Sequence, residues 1–143
     1  MSPLTKKRVS FLVGFLLYFI GIWALWDTAF VYPLKVFVVL LHEVSHALAA
    51  VATGGSVERI VLNVNQGGAA YTIGGNPFIT LSAGYLGSLL WGVLFVMLGF
   101  SRLLRPRWIV SAVGVFVLFT TAFVVRNPFG LFFGMAFGGA LLV

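Results

Sequence analysis

The feature that most constrains this chain is the length of its apolar runs. The first, VSFLVGFLLYFIGIWALW at 9–26, follows the basic cluster Lys6-Lys7-Arg8 and carries no charge over eighteen residues. A helix of that length is long enough to cross a hydrocarbon core of about 30 Å, and a helix satisfies its own backbone amides in lipid. Further runs follow at about 31–53, 78–100 and 108–125, and a fifth begins after Asn127-Pro128. The expected fold is an all-α integral membrane helix bundle of about five spans or part-spans. Only 8% of the residues are charged, against about 25% in soluble domains. The aromatic end WALW, with no small-residue cleavage site, makes the first run an uncleaved span rather than a signal peptide.

The net charge is +6. The basic residues mostly sit at the ends of apolar runs, where they face lipid headgroups and set topology, so the bilayer is the expected partner and nucleic acid is not. The basic tail 1–8 argues for a cytoplasmic N-terminus. Five simple crossings would then place SRLLRPR (101–107) outside, against the positive-inside tendency; a re-entrant second segment restores agreement, and both arrangements fit the sequence. No cysteine is present, which excludes disulfides, thiolate metal sites and cysteine nucleophiles.

Residues 56–75 differ in character. SVERIVLNVN alternates Ile60, Leu62 and Val64 with Arg59, Asn63 and Asn65, QGG intervenes, and AAYTI follows before GGNP. Period two between glycine breaks predicts a β-hairpin at about 57–73, between the second and third helices. An open hairpin cannot expose its edges to lipid, so it belongs at the interface or beside a polar cavity. Thr80, Gly84, Ser88 and Gly92 recur every four residues in the third run, and Gly130, Gly134 and Gly138 do so in the fifth. Such stripes allow close helix approach, within the chain or to other membrane subunits.

The second run, ending at Gly54-Gly55, contains HEVSH: both histidines of the chain and one of its three acids. An ionisable residue at mid-bilayer costs roughly 2.5–3.5 kcal/mol on insertion scales, so such residues in a span mark a polar cavity, a proton path or a metal. His42 and His46 are four apart, which stacks their imidazoles on one helix face within reach of one ion. Glu43 lies about 100° further round, able to reach a water on that ion without ligating it. H-E-x-x-H is a zinc hydrolase motif in which the metal acidifies a water and the Glu takes its proton. The competing reading is a pair of structural histidines with Glu43 as partner, but no basic residue lies within a turn on this helix.

LLHEVSHALAAVATGGSVERIVLNVNQGGAAY, followed by LSAGYLGSLLWG, resembles the core of the site-2-protease-like intramembrane zinc metallopeptidases, in particular the compact bacterial branch without a PDZ domain. The resemblance covers about residues 38–95. It implies zinc held by His42 and His46, Glu43 as catalytic base on a zinc-bound water, peptide-bond hydrolysis in membrane-embedded substrates, and a multi-pass protein of the bacterial inner membrane. Water would reach the site between helices past Ser45, Ser82 and the small-residue stripe, and the hairpin edge could hold an unwound substrate as an added strand.

The family closes its site with an Asp from a later membrane helix, and here the chain departs. In RNPFGLFFGM, Phe133 stands where that Asp is expected before Gly134, and the only acid after His46 is Glu58. The third ligand is expected beyond Val143, since the fifth run ends within an apolar segment; Glu58 and Asn127 are weaker substitutes. The alternative is a catalytically inactive relative serving as a structural or adaptor subunit. A transporter fits less well, because the chain shows no repeat and few polar midplane residues outside the motif.

Overall fold

The computed structural model describes residues 3–101 and 105–143; part of the SRLLRPR segment and the first two residues of the basic tail lie outside them. In chain order the elements are α1 Pro3–Ala24, α2 Tyr32–Ala52, β1 Ser56–Leu62, β2 Gly68–Ile73, α3 Pro77–Phe100, α4 Pro106–Val124 and α5 Pro128–Ala140. Four of the helices, all but α5, are long and apolar enough to cross a membrane. With 13 residues, α5 is about 20 Å long. Proline opens α3, α4 and α5, where its missing amide hydrogen is no loss. The expected helical bundle with one small hairpin is the fold observed.

The chain divides into two compact units, one through Lys35 and one from Val36. In the first, α1 begins at Pro3, so Lys6, Lys7 and Arg8 ride on its first turns. Its large apolar side chains, Phe11, Leu16 and Trp23 among them, are exposed, as those of a lipid-facing helix are. Lys35 pairs with Asp27 at 3.6 Å and lies over the Trp26 ring.

The second unit holds the core, built on Val36, Leu40, Ile60, Leu62, Val117 and Val125. Helix α2 stops where the glycines predict. Gly54 adopts φ +87°, its amide donates to the Val51 carbonyl, and the Gly55 amide donates to the Ala50 carbonyl at 2.8 Å. This is the Schellman pattern, which needs a residue free to turn left-handed. Gly55 must also lack a side chain, because a Cβ there would meet the backbone of residues 73–75 at 2.8 Å. Asn76 then caps α3, its Oδ1 accepting from the Ile79 amide, while its own amide donates to Thr53 Oγ1. The two ends of the hairpin are thus clamped to α2 and α3.

β1 and β2 pair antiparallel with Ile60 opposite Ala70 and Leu62 opposite Gly68, and a bulge falls at Glu58. A short extended segment continues the sheet on the other side of β1. Val125 bridges Ile60 in parallel, the Arg126 amide donates to the Ile60 carbonyl at 3.1 Å, and the Asn127 side chain bonds Leu62. Ile60 and Leu62 therefore turn their backbone groups away from β2, so their partners Ala70 and Gly68 turn theirs to the opposite edge. Among the described residues, no strand covers that edge of β2.

The glycine stripes are used within the chain. Gly134 packs directly on Thr121 of α4, Gly138 on Leu118, and Gly114 on the Gly138 carbonyl. On α3, Gly84 and Ser88 face α2, whereas Gly92 looks into open space.

Candidate metal centre

The centre is built where α2 and α3 run past each other. His42 and His46 stand one turn apart on α2 with ring centroids 4.7 Å from one another at 80°. Each ring is also tied to α3. His46 Nδ1 lies 2.6 Å from the Thr80 carbonyl oxygen, and His42 Nδ1 lies 3.4 Å from Ser88 Oγ. Between these anchors is Gly84, and a Cβ built there would collide with Nε2 of both histidines at once. The two Nε2 atoms thus converge on one point beside a bare stretch of helix. Tyr85 flanks the site with its ring edge-on to His42, centroids 5.0 Å apart.

Glu43 neighbours His46 on the same stripe of α2 and reaches on toward β2. Its side chain is buried against β2, where a Cβ on Gly68 would fall 2.8 Å from both Cγ and Oε1, and the Ala70 backbone amide donates to its carboxylate. The carboxylate therefore lies between the His46 side of α2 and the outer edge of β2, where it takes the Ala70 amide. A groove of about 540 Å³ runs alongside and includes Ser45, Ser82, Gly87 and Trp91 in its wall. The Ser45 hydroxyl is fully engaged, donating to the Leu41 carbonyl at 2.7 Å and accepting from Trp91 Nε1 at 3.1 Å.

A zinc ion fits this arrangement as far as the histidines go. Two imidazole nitrogens approach one point, and the space a Cβ would fill at Gly84 is left open. Among the described residues no group of three His, Asp, Glu or Cys side chains could hold a metal. The substitutes weighed from sequence are committed elsewhere. Glu58 is exposed and pairs with Arg59 at 2.6 Å. Asn127 spends both ends of its amide on Leu62. Phe133 is buried in an aromatic column on α5 with Phe129 and Phe137, and the Phe137 ring packs tilted against Phe37 of α2 with centroids 5.3 Å apart.

Spacing placed Thr80 in the small-residue stripe but did not give its role, which it plays through its backbone carbonyl. Tyr85 carries no signal beyond its place after Gly84.

No curated protein and no solved structure matches this chain. A family model described as Peptidase M50B-like matches residues 15–143, a stretch that takes in the histidine pair, the hairpin and all of α2 to α5. With its four helices long enough to cross a bilayer, the chain is a multi-pass membrane protein, and it belongs to the peptidase M50B-like family.

Proposed function

We propose that the chain is an intramembrane metalloprotease of the bacterial plasma membrane, which hydrolyses peptide bonds of membrane-embedded substrates. His42 and His46 hold zinc through Nε2, and Glu43 is the base. The observation that carries this reading is the convergence of both Nε2 atoms at Gly84 with Glu43, the adjacent residue, held by the Ala70 amide at the outer edge of β2. Zinc, when bound, supplies a Lewis acid that polarises the scissile carbonyl and acidifies water.

The chain's own residues do the rest. A substrate helix hides its carbonyls in its own hydrogen bonds and must unwind before attack. The outer edge of β2 would receive the unwound segment as an added strand once the segment takes the Ala70 amide over from Glu43, since β1 is already flanked on both sides. That edge brings the peptide to Glu43, whose carboxylate accepts the proton of the attacking water and returns it to the leaving amine.

The absence of a third ligand among the described residues favours a second reading, a metal-free structural or adaptor subunit. The two separate by experiment. Zinc content of the purified chain and cleavage of a model transmembrane substrate are measured for wild type, His46→Ala and Glu43→Gln. The protease reading expects His46→Ala to lose metal. It expects Glu43→Gln to keep metal and lose at least about 100-fold in cleavage, because a base moves a proton and does not hold the ion. A wild type without zinc or cleavage leaves the subunit reading.

A further inference from the structure

We propose that Thr80, Gly84 and Ser88 of α3 are positioning residues that set both histidines, before any metal arrives, in the tautomer that leaves Nε2 bare. The purpose of this arrangement rests on the metalloprotease reading, while its content rests on hydrogen-bond chemistry alone. A backbone carbonyl has no proton to give. The 2.6 Å contact of His46 Nδ1 with the Thr80 carbonyl therefore puts the imidazole proton on Nδ1. Ser88 has one hydroxyl proton, and it donates that proton to the Gly84 carbonyl at 2.9 Å. Its oxygen is left as an acceptor, so in the 3.4 Å contact with His42 the donor is Nδ1.

In both rings the bare nitrogen is then Nε2, the atom aimed at Gly84. A free neutral imidazole prefers the opposite arrangement, with the proton on Nε2. Helix α3 thus selects the uncommon tautomer twice, and that tautomer is the one a metal needs at Nε2.

Gly84 makes the selection geometrically feasible. Thr80, Gly84 and Ser88 are four apart and share one face of α3. The antiparallel course of α2 sets His46 against Thr80 and His42 against Ser88. A side chain at the middle position would push α3 off both Nδ1 anchors and fill the point where the Nε2 atoms meet. The anchors are unequal. The bond to Thr80 is short, whereas that to Ser88 is at the long limit for a hydrogen bond, so His42 is the ring more easily released.

The test reads tautomers directly. The two imidazoles of the ¹⁵N-labelled full chain, stripped of metal in nanodiscs at alkaline pH, are assigned with a His42→Asn variant, and their nitrogen shifts report which atom bears the proton. Both are expected to show protonated Nδ1 and bare Nε2. Ser88→Ala should turn His42 to the Nε2–H form and leave His46 unchanged, and Ser88→Thr, which keeps the hydroxyl, should restore it. With zinc alone as probe, in competition with a chelator, Ser88→Ala should bind about 10–100-fold more weakly than wild type or Ser88→Thr. Gly84→Ala should lose both tautomers, with Gly92→Ala as the control in open space; the Ser88 pair decides even where Gly84→Ala does not fold. Nε2–H forms at both rings of the metal-free wild type, or a His42 indifferent to Ser88→Ala, would overturn the inference. A wild type that takes up no zinc yet shows the expected tautomers sinks the metalloprotease reading and upholds this one.

Discussion

The Asn127 side chain makes both of its hydrogen bonds to the backbone of Leu62, Nδ2 donating to the carbonyl at 2.6 Å and Oδ1 accepting from the amide at 3.1 Å. An amide side chain here does the work of a strand residue. Leu62 is fully buried, so removing the amide leaves two backbone groups with no partner. Asn127→Ala should cost about 1–3 kcal/mol in denaturant unfolding of the detergent-solubilised protein. Zinc bound per folded molecule should not change, because the side chain is already spent. Loss of metal from a folded variant would mean that Asn127 does more than brace β1.

Glu58 provides the contrasting case. It sits on the bulge of β1, exposed, and its carboxylate meets Arg59 at 2.6 Å. Exposed pairs contribute little, so Glu58→Ala should alter stability by no more than about 0.5 kcal/mol and should leave zinc uptake as in wild type. A metal-free Glu58→Ala protein would restore this residue as a ligand candidate.

The packing of α5 on α4 is a question of volume. Gly134 touches Thr121, which is fully buried, whereas Gly139 has nothing within 4 Å of where its Cβ would stand. Gly134→Val should destabilise by about 1–3 kcal/mol through overpacking, while Gly139→Ala is tolerated. Equal melting temperatures for the two variants would show that α4 and α5 are not held by this seam.

How much of this was legible depends on what a single residue can encode. The apolar runs, the period-two hairpin and the helix end at Gly54-Gly55 are local patterns, and the structure reproduces them within a few residues. The spacing of His42 and His46 foretold a shared face, and the stripe at Gly84 and Ser88 foretold close approach to α2. Spacing could not reveal that Val125, Arg126 and Asn127 join β1, since that pairing closes a long loop and, at Val125 and Arg126, uses backbone groups common to every residue. It is this long-range contact that removes Asn127 from the ligand candidates. The role of the Thr80 carbonyl is hidden for the same reason.

The turn after α2 tests conformation without contact. Gly54 stands at φ +87° with open space around its Cα, so any cost of a side chain there comes from the backbone alone. Gly54→Ala should destabilise by about 1–2 kcal/mol, and Gly54→Asn by less, because Asn tolerates the left-handed region better. Should the two rank the other way in thermal melts, the capping account of this helix end is wrong.

Gly68 separates the holding of metal from the movement of a proton. A Cβ there would fall 2.8 Å from Glu43 Cγ, Glu43 Oε1 and Val39 Cγ1, whereas the ring nitrogens of the neighbouring His42 and His46 are anchored on α3. A methyl at this point forces either the Glu43 carboxylate or the strand edge to move by several tenths of an ångström. Gly68→Ala should therefore reduce turnover of a transmembrane substrate by about 10–100-fold, as small misplacements of a reacting group do, with zinc content unchanged. Gly67→Ala, one residue earlier in the turn, meets only Asn65 and Asn63 side chains, Asn65 Oδ1 at 3.3 Å, and should stay near wild-type turnover. Metal loss in Gly68→Ala would place Glu43 among the ligands instead of beside them, and undiminished turnover would show that the edge of β2 does not deliver substrate to this carboxylate.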